Sequence, residues 1–433
     1  MFFVYRTYDF LSRYRKALLA ALIVFIIAFG VSVLLRGAIG EPYRTDMTVF
    51  IRAAQAVDAG TDIYDAKTER QWNYVYLPLL AILLRPCAHL PLWFSVLAGY
   101  VLSAAMLAGT VYAAKCLDLG KITAWRPAVL ALVFSLPVML NTMARGQLGI
   151  LSLFFAVVCF VLYQKKRHFL AGFLLGFAIV LKISPVFFLL GFFFLQKAWR
   201  VLAGAALAAL IFILIVPAAA VGWDRNLTYL QTWFEAMRLA TSKFAQQSQL
   251  WGQLLDPYAE DNQSFYSVMM RLWGPARDQL VPGADTMVRF AARGLALLLL
   301  ALLAGAMLLR QRKNIQKGLF LEYALFSMVM LYASPVSESH HYTTVYLLFL
   351  TALSLLAGPS LGLAARRWVE AALWIAVGSL LLGMIFDSLN YAGAFVWGTF
   401  FLWAVLWIVH LSKILTADRR SANDPAVGAF YER

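Results

Sequence analysis

Long apolar runs separated by short clusters of Lys and Arg are the feature that most constrains how this chain folds. Hydrophobic residues make up 62% of the 433 residues and charged residues only 14%, which is more apolar surface than a soluble core of this length buries. Much of the chain is therefore expected to be solvated by a bilayer. The net charge of +15 comes largely from clusters such as residues 164–168 and 310–313, which lie between apolar runs. This is the positive-inside pattern of a membrane protein, and it does not indicate nucleic-acid binding.

The cysteines indicate neither a disulfide framework nor a metal knuckle. Cys87, Cys116 and Cys159 are scattered through apolar stretches and form no CxxC pair, so we expect free thiols. The first apolar run follows basic residues but lacks a small-residue cleavage site, which predicts a retained anchor and not a removed signal peptide.

The membrane topology follows from the length of the apolar runs and the position of the basic clusters. Runs of about 20 apolar residues can cross the hydrocarbon core, and connections rich in Lys and Arg then face the cytoplasm. Both termini are predicted to be cytoplasmic. The twelve predicted crossings are residues 17–35, 91–114, 126–143, 147–163, 168–182, 184–196, 200–220, 287–309, 318–333, 342–357, 368–386 and 391–412.

The apolar segment 74–88 is not counted among the crossings. Counting it would move Lys115, Lys121 and Arg126 to the outer face, against the charge rule. The segment is also short and has a proline near its start, which favours an interfacial or re-entrant helix on the outer face. A full crossing, giving thirteen spans, is the alternative, and it would invert every later connection.

Two of the predicted outer connections are long, residues 36–90 and 221–286. The first contains an amphipathic stretch that should lie along the membrane surface. Its apolar face is formed by Met47, Phe50, Ile51, Ala54 and Val57, and its polar face by Thr48, Arg52, Gln55 and Asp58. The second connection is rich in Trp, Tyr and amide side chains, which suits a sugar or lipid head-group site. No soluble domain of useful size remains, so residues 1–433 are predicted to form one membrane domain.

Asp46 is the first candidate functional residue. It lies just ahead of the amphipathic stretch, where a carboxylate can sit at the boundary between water and lipid and reach a bound head group. The alternative is an N-cap, since Asp commonly precedes a helix. Capping would lower the pKa of the carboxyl and weaken it as a base, so a catalytic role requires Asp46 to face the cavity.

Further polar residues collect at other predicted outer turns, where charged groups are costly unless they are paired or functional. These candidates are Arg145, Gln147, Lys182, Asn262, Gln263, Arg271, Glu338, His340 and His341. The alternatives are a snorkelling side chain for Lys182, an ordinary loop charge for Arg145 and a capped surface helix for residues 262–271. No metal site is predicted, because adjacent His side chains point in different directions on a helix and no third ligand has suitable spacing. Donors to a phosphate are favoured instead.

The order of these segments resembles glycosyltransferase family 87, relatives of the polyprenyl-phosphate-mannose-dependent mannosyltransferases of the GT-C fold. The matching segments are the Asp46 loop leading into residues 59–64, then residues 76–79, 145–147, 182–185, 262–264 with Arg271, and 334–341. Each segment alone is weak, but six in the same order on the predicted outer face span most of the chain. GT-C proteins also place juxtamembrane helices in the first outer loop, which agrees with an uncrossed segment 74–88.

The resemblance implies an all-α polytopic membrane protein, a GT-C-like bundle of about 12 transmembrane helices with juxtamembrane helices on the outer face. It implies an inverting transferase that moves one sugar, with mannose favoured, from a polyprenyl monophosphate donor to a lipid or glycan acceptor. Asp46 occupies the position of the family's base, and Lys182, His340, His341 and Arg145 are the candidates for holding the phosphate. No cofactor or nucleotide is expected, since no glycine-rich nucleotide loop is present. The expected protein is a monomer of the bacterial inner membrane with its site on the periplasmic face.

Three other classes of membrane protein compete with this interpretation. A transporter or flippase for lipid-linked sugars should show inverted repeats and ionisable residues at mid-membrane depth, whereas the candidates cluster at one boundary. A ligase of the O-antigen type, which moves a whole glycan from a lipid pyrophosphate, would call for a larger basic outer loop. A structural or scaffolding membrane protein is the third alternative. Release of polyprenyl phosphate from a polyprenyl-phosphate sugar in the presence of an acceptor would separate the first interpretation from the others.

Overall fold

The computed structural model describes residues 13, 15–40, 44–66, 72–119, 125–242, 244–281, 283–315, 317–359 and 361–423. These residues form an all-α protein, in which the described part contains no strand and one isolated bridge, between Asn262 and Glu338. The α-helices in chain order are α1 (Arg15–Leu34), α2 (Met47–Ala59), α3 (Pro78–Leu83), α4 (Leu92–Lys115), α5 (Trp125–Arg145), α6 (Gly149–Gln164), α7 (His168–Leu181), α8 (Leu189–Leu195), α9 (Trp199–Ala209), α10 (Val216–Val221), α11 (Trp223–Ala240), α12 (Phe265–Trp273), α13 (Thr286–Arg312), α14 (Leu319–Ala333), α15 (Val345–Ala357), α16 (Leu363–Ile385), α17 (Asp387–Tyr391) and α18 (Ala394–Asn423).

Many of these helices are apolar enough to cross a membrane, which confirms the prediction of an all-α polytopic membrane protein. Seven are also long enough, namely Ala20–Ile39, Leu92–Lys115, Trp125–Arg145, Trp199–Val221, Thr286–Arg312, Leu363–Ile385 and Ala394–Thr416. Gly149–Gln164, His168–Leu181 and Leu319–Ala333 are shorter apolar helices. The large exposed apolar side chains of the long helices are those that a bilayer would cover.

The count of twelve crossings is not confirmed. The predicted crossing at residues 184–196 contains only α8, a helix of seven residues that is preceded by turns. Seven residues rise about 10 Å along a helix axis, well short of a hydrocarbon core about 30 Å thick. Apolar content alone therefore overestimated the length of the helix in this segment, since the same composition also suits a short helix that packs against its neighbours.

Two helices form the centre of the bundle. Nearly every residue of α14 and α15 is buried, because both helices are apolar around their whole circumference. The charged residue Glu322 is also buried, near the start of α14. It accepts a hydrogen bond of 2.7 Å from Arg310 and lies 2.9 Å from His410 Nε2. Paired charges of this kind tolerate burial, whereas an unpaired Glu322 would be costly there. The opposite end of α14 leads into residues 334–341, one of the candidate segments.

The first predicted outer loop forms short helices that do not cross the bundle. Segment 74–88 contains the six-residue α3 and a single 3₁₀ turn, Arg85–Cys87, and both are too short for a crossing. On α2 the predicted apolar face is buried, while Arg52 and Asp58 on the predicted polar face are exposed. Residues 41–43 and 67–71 of this loop lie outside the described residues.

Helices α7 and α9 approach each other so closely that only glycine fits at their crossing. A Cβ atom at Gly172 would lie 1.8 Å from the carbonyl oxygen of Val201, and one at Gly204 would lie 2.1 Å from that of Phe169. Small residues at such crossings let helix backbones touch and pack by van der Waals contact. The backbone thus forms the interface between these two helices.

The predicted topology gives an expected pattern of cysteine labelling. In a background without Cys87 and Cys159, the native Cys116, which is exposed beside the basic end of α4, should resist an impermeant thiol reagent in intact cells. A cysteine at exposed Glu260, with Cys116 replaced by Ser, should react. Permeabilised cells, in which both positions should react, supply the control. Labelling of Cys116 but not of position 260 in intact cells would reverse the topology.

Candidate active site

The start of α2 and the end of α5 are joined by two hydrogen bonds to one backbone carbonyl. The N–H of Asp46 donates to the carbonyl of Arg145 at 2.9 Å, and the hydroxyl of Thr45 donates to the same oxygen at 3.3 Å. Asp46 itself has helical backbone angles, and its side chain caps no N–H of α2. The capping interpretation therefore does not explain this aspartate, and its buried carboxylate lies beside residues 145–147 instead.

Gln147 connects Asp46 with two further side chains. Its Nε2 donates to Asp46 Oδ2, while its Oε1 accepts from Lys182 Nζ at 2.8 Å and from the Tyr76 hydroxyl at 2.9 Å. The turn that brings Gln147 here contains Gly146 with φ +68°, a left-handed conformation that favours glycine. Three residues from three separate segments thus meet at the side-chain amide of Gln147.

Arg145 joins this group to a second set of carboxylates. Its Nη1 donates to Glu338 Oε2 at 3.0 Å and its Nη2 donates to Asp261 Oδ2 at 2.8 Å. Asp261 is about half exposed, whereas Glu338 is largely buried. Arg145 therefore links the buried cluster to the water-exposed rim, and it is not an ordinary loop charge.

His340 and His341 lie in a 3₁₀ helix, Ser339–Thr344, with ring centroids 4.3 Å apart. His341 Nδ1 accepts a hydrogen bond of 3.1 Å from the backbone N–H of Glu338, and His340 Nδ1 lies 3.4 Å from Glu338 Oε2. Burial, together with the nearby Lys182, holds the pKa of both imidazoles well below the usual range. A neutral His341 whose Nδ1 accepts must carry its proton on Nε2, so it can donate one hydrogen bond without a charge.

Burial moves the pKa values of Lys182 and Glu338 toward each other. Lys182 directly follows α7 and Glu338 directly precedes the 3₁₀ helix, so neither residue lies within a helix. Desolvation lowers the pKa of Lys182 to about 7, although Glu338 and Asp46 oppose the shift. Desolvation also raises the pKa of Glu338 to about 7, against the effect of Arg145. The charge of the cluster therefore changes near neutral pH.

Asn262, Gln263 and Arg271 are not hydrogen-bonded to this cluster, and their polar groups hold loops together. Asn262 Oδ1 accepts from the N–H of Ser337 at 3.0 Å, beside the bridge to Glu338. Gln263 Nε2 donates to the carbonyl of Asn390 at 2.6 Å, and Arg271 Nη1 donates to that of Asn262 at 2.8 Å. Asn262 thus supports the segment that carries Glu338, while the other two fix the surrounding loops.

An apolar cavity of about 590 Å³ begins next to the cluster. Its lining includes Leu77 and Ile183, the chain neighbours of Tyr76 and Lys182. The remaining lining residues are Gly176, Ile179, Val180, Phe187, Leu190, Leu202, Ala205, Ala206, Ala209, Ile213, Leu230, Trp233 and Phe234. A polar, charged cluster and an apolar cavity thus adjoin, which is the arrangement that an amphiphile requires.

Sequence reasoning named Tyr76 only as part of a motif and did not name Asp261. A tyrosine hydroxyl buried between apolar neighbours needs a hydrogen-bond partner, which was the available signal for Tyr76. Asp261, adjacent to the predicted Asn262, had no signal beyond its position. Among the described residues, no group of three or more His, Cys, Asp or Glu side chains is arranged to hold a metal ion.

Comparison with known proteins yields one family match. The model of glycosyltransferase family 87 matches residues 74–335, more than half of the chain. No curated protein and no solved structure matches. The matched range contains Arg145, Gln147 and Lys182, whereas Asp46 and residues 338–341 lie outside it. The hydrogen bonds from Gln147 to Asp46 and from Arg145 to Glu338 connect these outside residues to the matched ones.

Gly149 sets the distance between the His pair and the rest of the cluster. A Cβ atom there would lie 2.6 Å from the carbonyl oxygen of His340, and the Gly149 carbonyl accepts from the Thr343 hydroxyl at 3.0 Å. Gly149→Ala should therefore displace the 3₁₀ helix and destabilise the protein by about 1–3 kcal/mol, as overpacking does. The measurement is thermal unfolding in detergent. Gly378→Ala, a helical glycine with no atom within 4 Å of the added Cβ, is the matched control and should be neutral or stabilising. Equal melting temperatures for the two variants would contradict the close contact.

Proposed function

The chain belongs to glycosyltransferase family 87, and on that premise we propose that it moves one sugar, mannose in the first instance, from a polyprenyl monophosphate to a lipid or glycan acceptor. The observation that carries this proposal is the buried carboxylate of Asp46 joined through one amide to Lys182, at the start of an apolar cavity. Transfer from such a donor needs a base for the acceptor hydroxyl, a cation for the phosphate and an apolar compartment for the lipid chain.

Asp46 is the proposed general base. Its carboxylate takes the proton of an acceptor hydroxyl while that oxygen forms a bond to the anomeric carbon of the sugar. The bond between the anomeric carbon and the phosphate oxygen breaks on the opposite face, and its electron pair stays on the phosphate. The sugar is therefore transferred with inversion, and polyprenyl phosphate is the second product.

Lys182, the His pair and Arg145 are the proposed partners of the phosphate. Lys182 is a point charge that can turn from Gln147 Oε1 to a phosphate oxygen, and His341 offers an uncharged Nε2–H. Arg145 is already held by Glu338 and Asp261, so it contributes mainly through its field. Cationic and hydrogen-bonding groups at the leaving oxygen stabilise the charge that develops there.

The apolar cavity is the proposed location of the polyprenyl chain. Each buried CH₂ group of an isoprenoid gains roughly 0.8 kcal/mol on leaving water, so an apolar lining binds the tail without polar contacts. Because the lining residues Leu77 and Ile183 adjoin Tyr76 and Lys182 in the chain, a tail in the cavity would bring its phosphate to the cluster. The proposed setting is the outer face of a bacterial inner membrane, with the enzyme acting as a monomer.

The proposed base gives the most direct test of function. Asp46→Asn keeps the size of the side chain and an oxygen that accepts from Gln147 but cannot take the proton, so sugar transfer should fall roughly 100-fold or more. Transfer from a radiolabelled polyprenyl-phosphate mannose and thermal stability should be measured together.

Asp58→Asn is the matched control for this variant. Asp58 lies on α2, which Asp46 precedes, but it pairs with Arg85 and His89 at the surface, so its loss should leave transfer unchanged. A stable Asp46→Asn enzyme with wild-type turnover would remove Asp46 from the mechanism.

The pKa values of Lys182 and Glu338 give a test of the phosphate site. Phosphate binding favours a charged Lys182 and a neutral Glu338, and both forms are lost as the pH rises through about 7. The affinity for a polyprenyl monophosphate should therefore fall above pH 7, by up to roughly tenfold per pH unit for each coupled proton. Isothermal titration between pH 6 and 9 measures this.

Lys182→Met should lower the affinity roughly tenfold or more at pH 6 and flatten its pH dependence, because a charge-assisted contact is lost. Lys165→Met, at an exposed position after α6, is the control and should bind as the wild type does. Unchanged affinity in the Lys182 variant would assign this lysine a structural role.

A further inference from the structure

Lys182 and Asp46 lie in the same buried cluster, yet they do not form an ion pair. Among the described residues, no carboxylate oxygen is within 4 Å of Lys182 Nζ, whose hydrogen bond goes to Gln147 Oε1 at 2.8 Å. The other end of the same amide donates to Asp46 Oδ2. A neutral group therefore occupies the position where a buried ammonium and a buried carboxylate would otherwise meet.

We infer that Gln147 is a positioning residue whose side-chain amide keeps the base Asp46 and the cation Lys182 from pairing with each other. This inference rests on the proposed function, because it assigns those roles to the two charged groups. With the two groups kept apart, each can serve a different substrate, the carboxylate the acceptor hydroxyl and the ammonium the donor phosphate.

Direct pairing would impair both groups. An ammonium in contact with a carboxylate lowers the pKa of that carboxyl by roughly 1–3 units, which makes it a weaker base. The attraction is also strong in a site shielded from water, so a donor phosphate would have to break the pair before it could bind Lys182. A neutral amide satisfies both charges with hydrogen bonds and leaves them separate.

Lys182 and Asp46 together fix which way the amide points, and Tyr76 supports that orientation. Its hydroxyl donates to Gln147 Oε1, the same oxygen that accepts from Lys182. A flipped amide would turn its NH₂ group toward Lys182 Nζ and its oxygen toward Asp46, and both contacts would be repulsive. When Lys182 turns to a phosphate, the Tyr76 hydroxyl still holds Oε1, so Nε2 continues to orient the base.

The remaining charged groups around the cluster are common to every variant in the test. Arg145 and Glu338 act on Lys182, and Asp261 acts on both of them. The two imidazoles are neutral at the pH of interest, and the Tyr76 hydroxyl stays protonated because burial raises its pKa. Differences between Gln147 variants therefore report on the contact between Asp46 and Lys182.

Two substitutions at Gln147 should shift the pH dependence in opposite directions. Gln147→Met has similar length but no hydrogen-bonding group, so Asp46 and Lys182 can meet. Its acidic limb of kcat/KM should move down by about one pH unit or more, with a maximum roughly tenfold below wild type. Gln147→Glu places a second carboxylate beside Asp46, and like charges raise the pH at which the base ionises, so the limb should move up.

Binding of a polyprenyl monophosphate supplies a readout that does not depend on transfer. Gln147→Met should weaken binding several-fold, because Lys182 must leave Asp46. Gln147→Glu should weaken it more at pH 8 than at pH 6, since the added carboxylate both holds Lys182 and repels the phosphate. Gln55→Met, which removes a hydrogen bond to Ala88 on the far side of α2, is the control and should match the wild type in both measurements.

The outcomes separate this inference from the proposed function. A wild-type enzyme that transfers no sugar from any polyprenyl-phosphate donor contradicts the proposed function, and the binding measurement then still decides whether Gln147 separates Asp46 from Lys182. If the wild type is active but both variants keep its acidic limb and lose rate uniformly, Gln147 has only a structural role. If Gln147→Met does not fold, as judged by thermal unfolding, the upward shift in Gln147→Glu alone carries the test.

Discussion

The burial of Lys182 and Glu338 at the edge of an apolar bundle is the condition to which the rest of the cluster responds. An isolated buried charge is strongly unfavourable, so each must either be paired, be hydrogen-bonded or change its protonation state. Arg145 supplies Glu338 with a counter-charge, and Gln147 supplies Lys182 with an acceptor. The residual cost appears as the two pKa values near 7. The cluster therefore takes up protons readily when an anion enters it.

The sequence could predict that the candidate segments lie near one another but not which contacts they make. Arg145 ends one apolar helix, while Lys182 and residues 334–341 follow two others, and a charged residue at the end of such a helix is expected near the membrane boundary. That rule predicts one common level for these segments, and the structure brings them into contact with one another. The membrane class could be predicted because it depends on the pattern of apolar runs. The family could be predicted because it depends on the order of the motifs along the chain.

The contacts that could not be predicted depend on which helices are neighbours and on where backbone groups need partners. Asn262 and Gln263 were expected at the substrate, but their amides satisfy carbonyl and N–H groups of loops that are distant in sequence. Asp46 was open to two interpretations, because the same residue type suits a helix cap and a base. The structure shows no capping hydrogen bond from Asp46 and places its carboxylate at Gln147, and the role of base stays a proposal. The crossing expected at residues 184–196 is not confirmed, because composition does not fix helix length and the helix there has seven residues.

The glycine contacts between α7 and α9 have a consequence for attempts to redesign the apolar cavity. Gly176, Ala205 and Ala209 line this side of it, and the two backbones already touch there, so larger side chains would separate the helices before they narrowed the space. Phe187 and Phe234 of α11 also line the cavity, and both side chains are exposed, so they have more freedom to change conformation. The lining thus combines a rigid part with an adjustable part. Substitutions that are meant to change the length or branching of the molecule in the cavity would have to begin at these two phenylalanines.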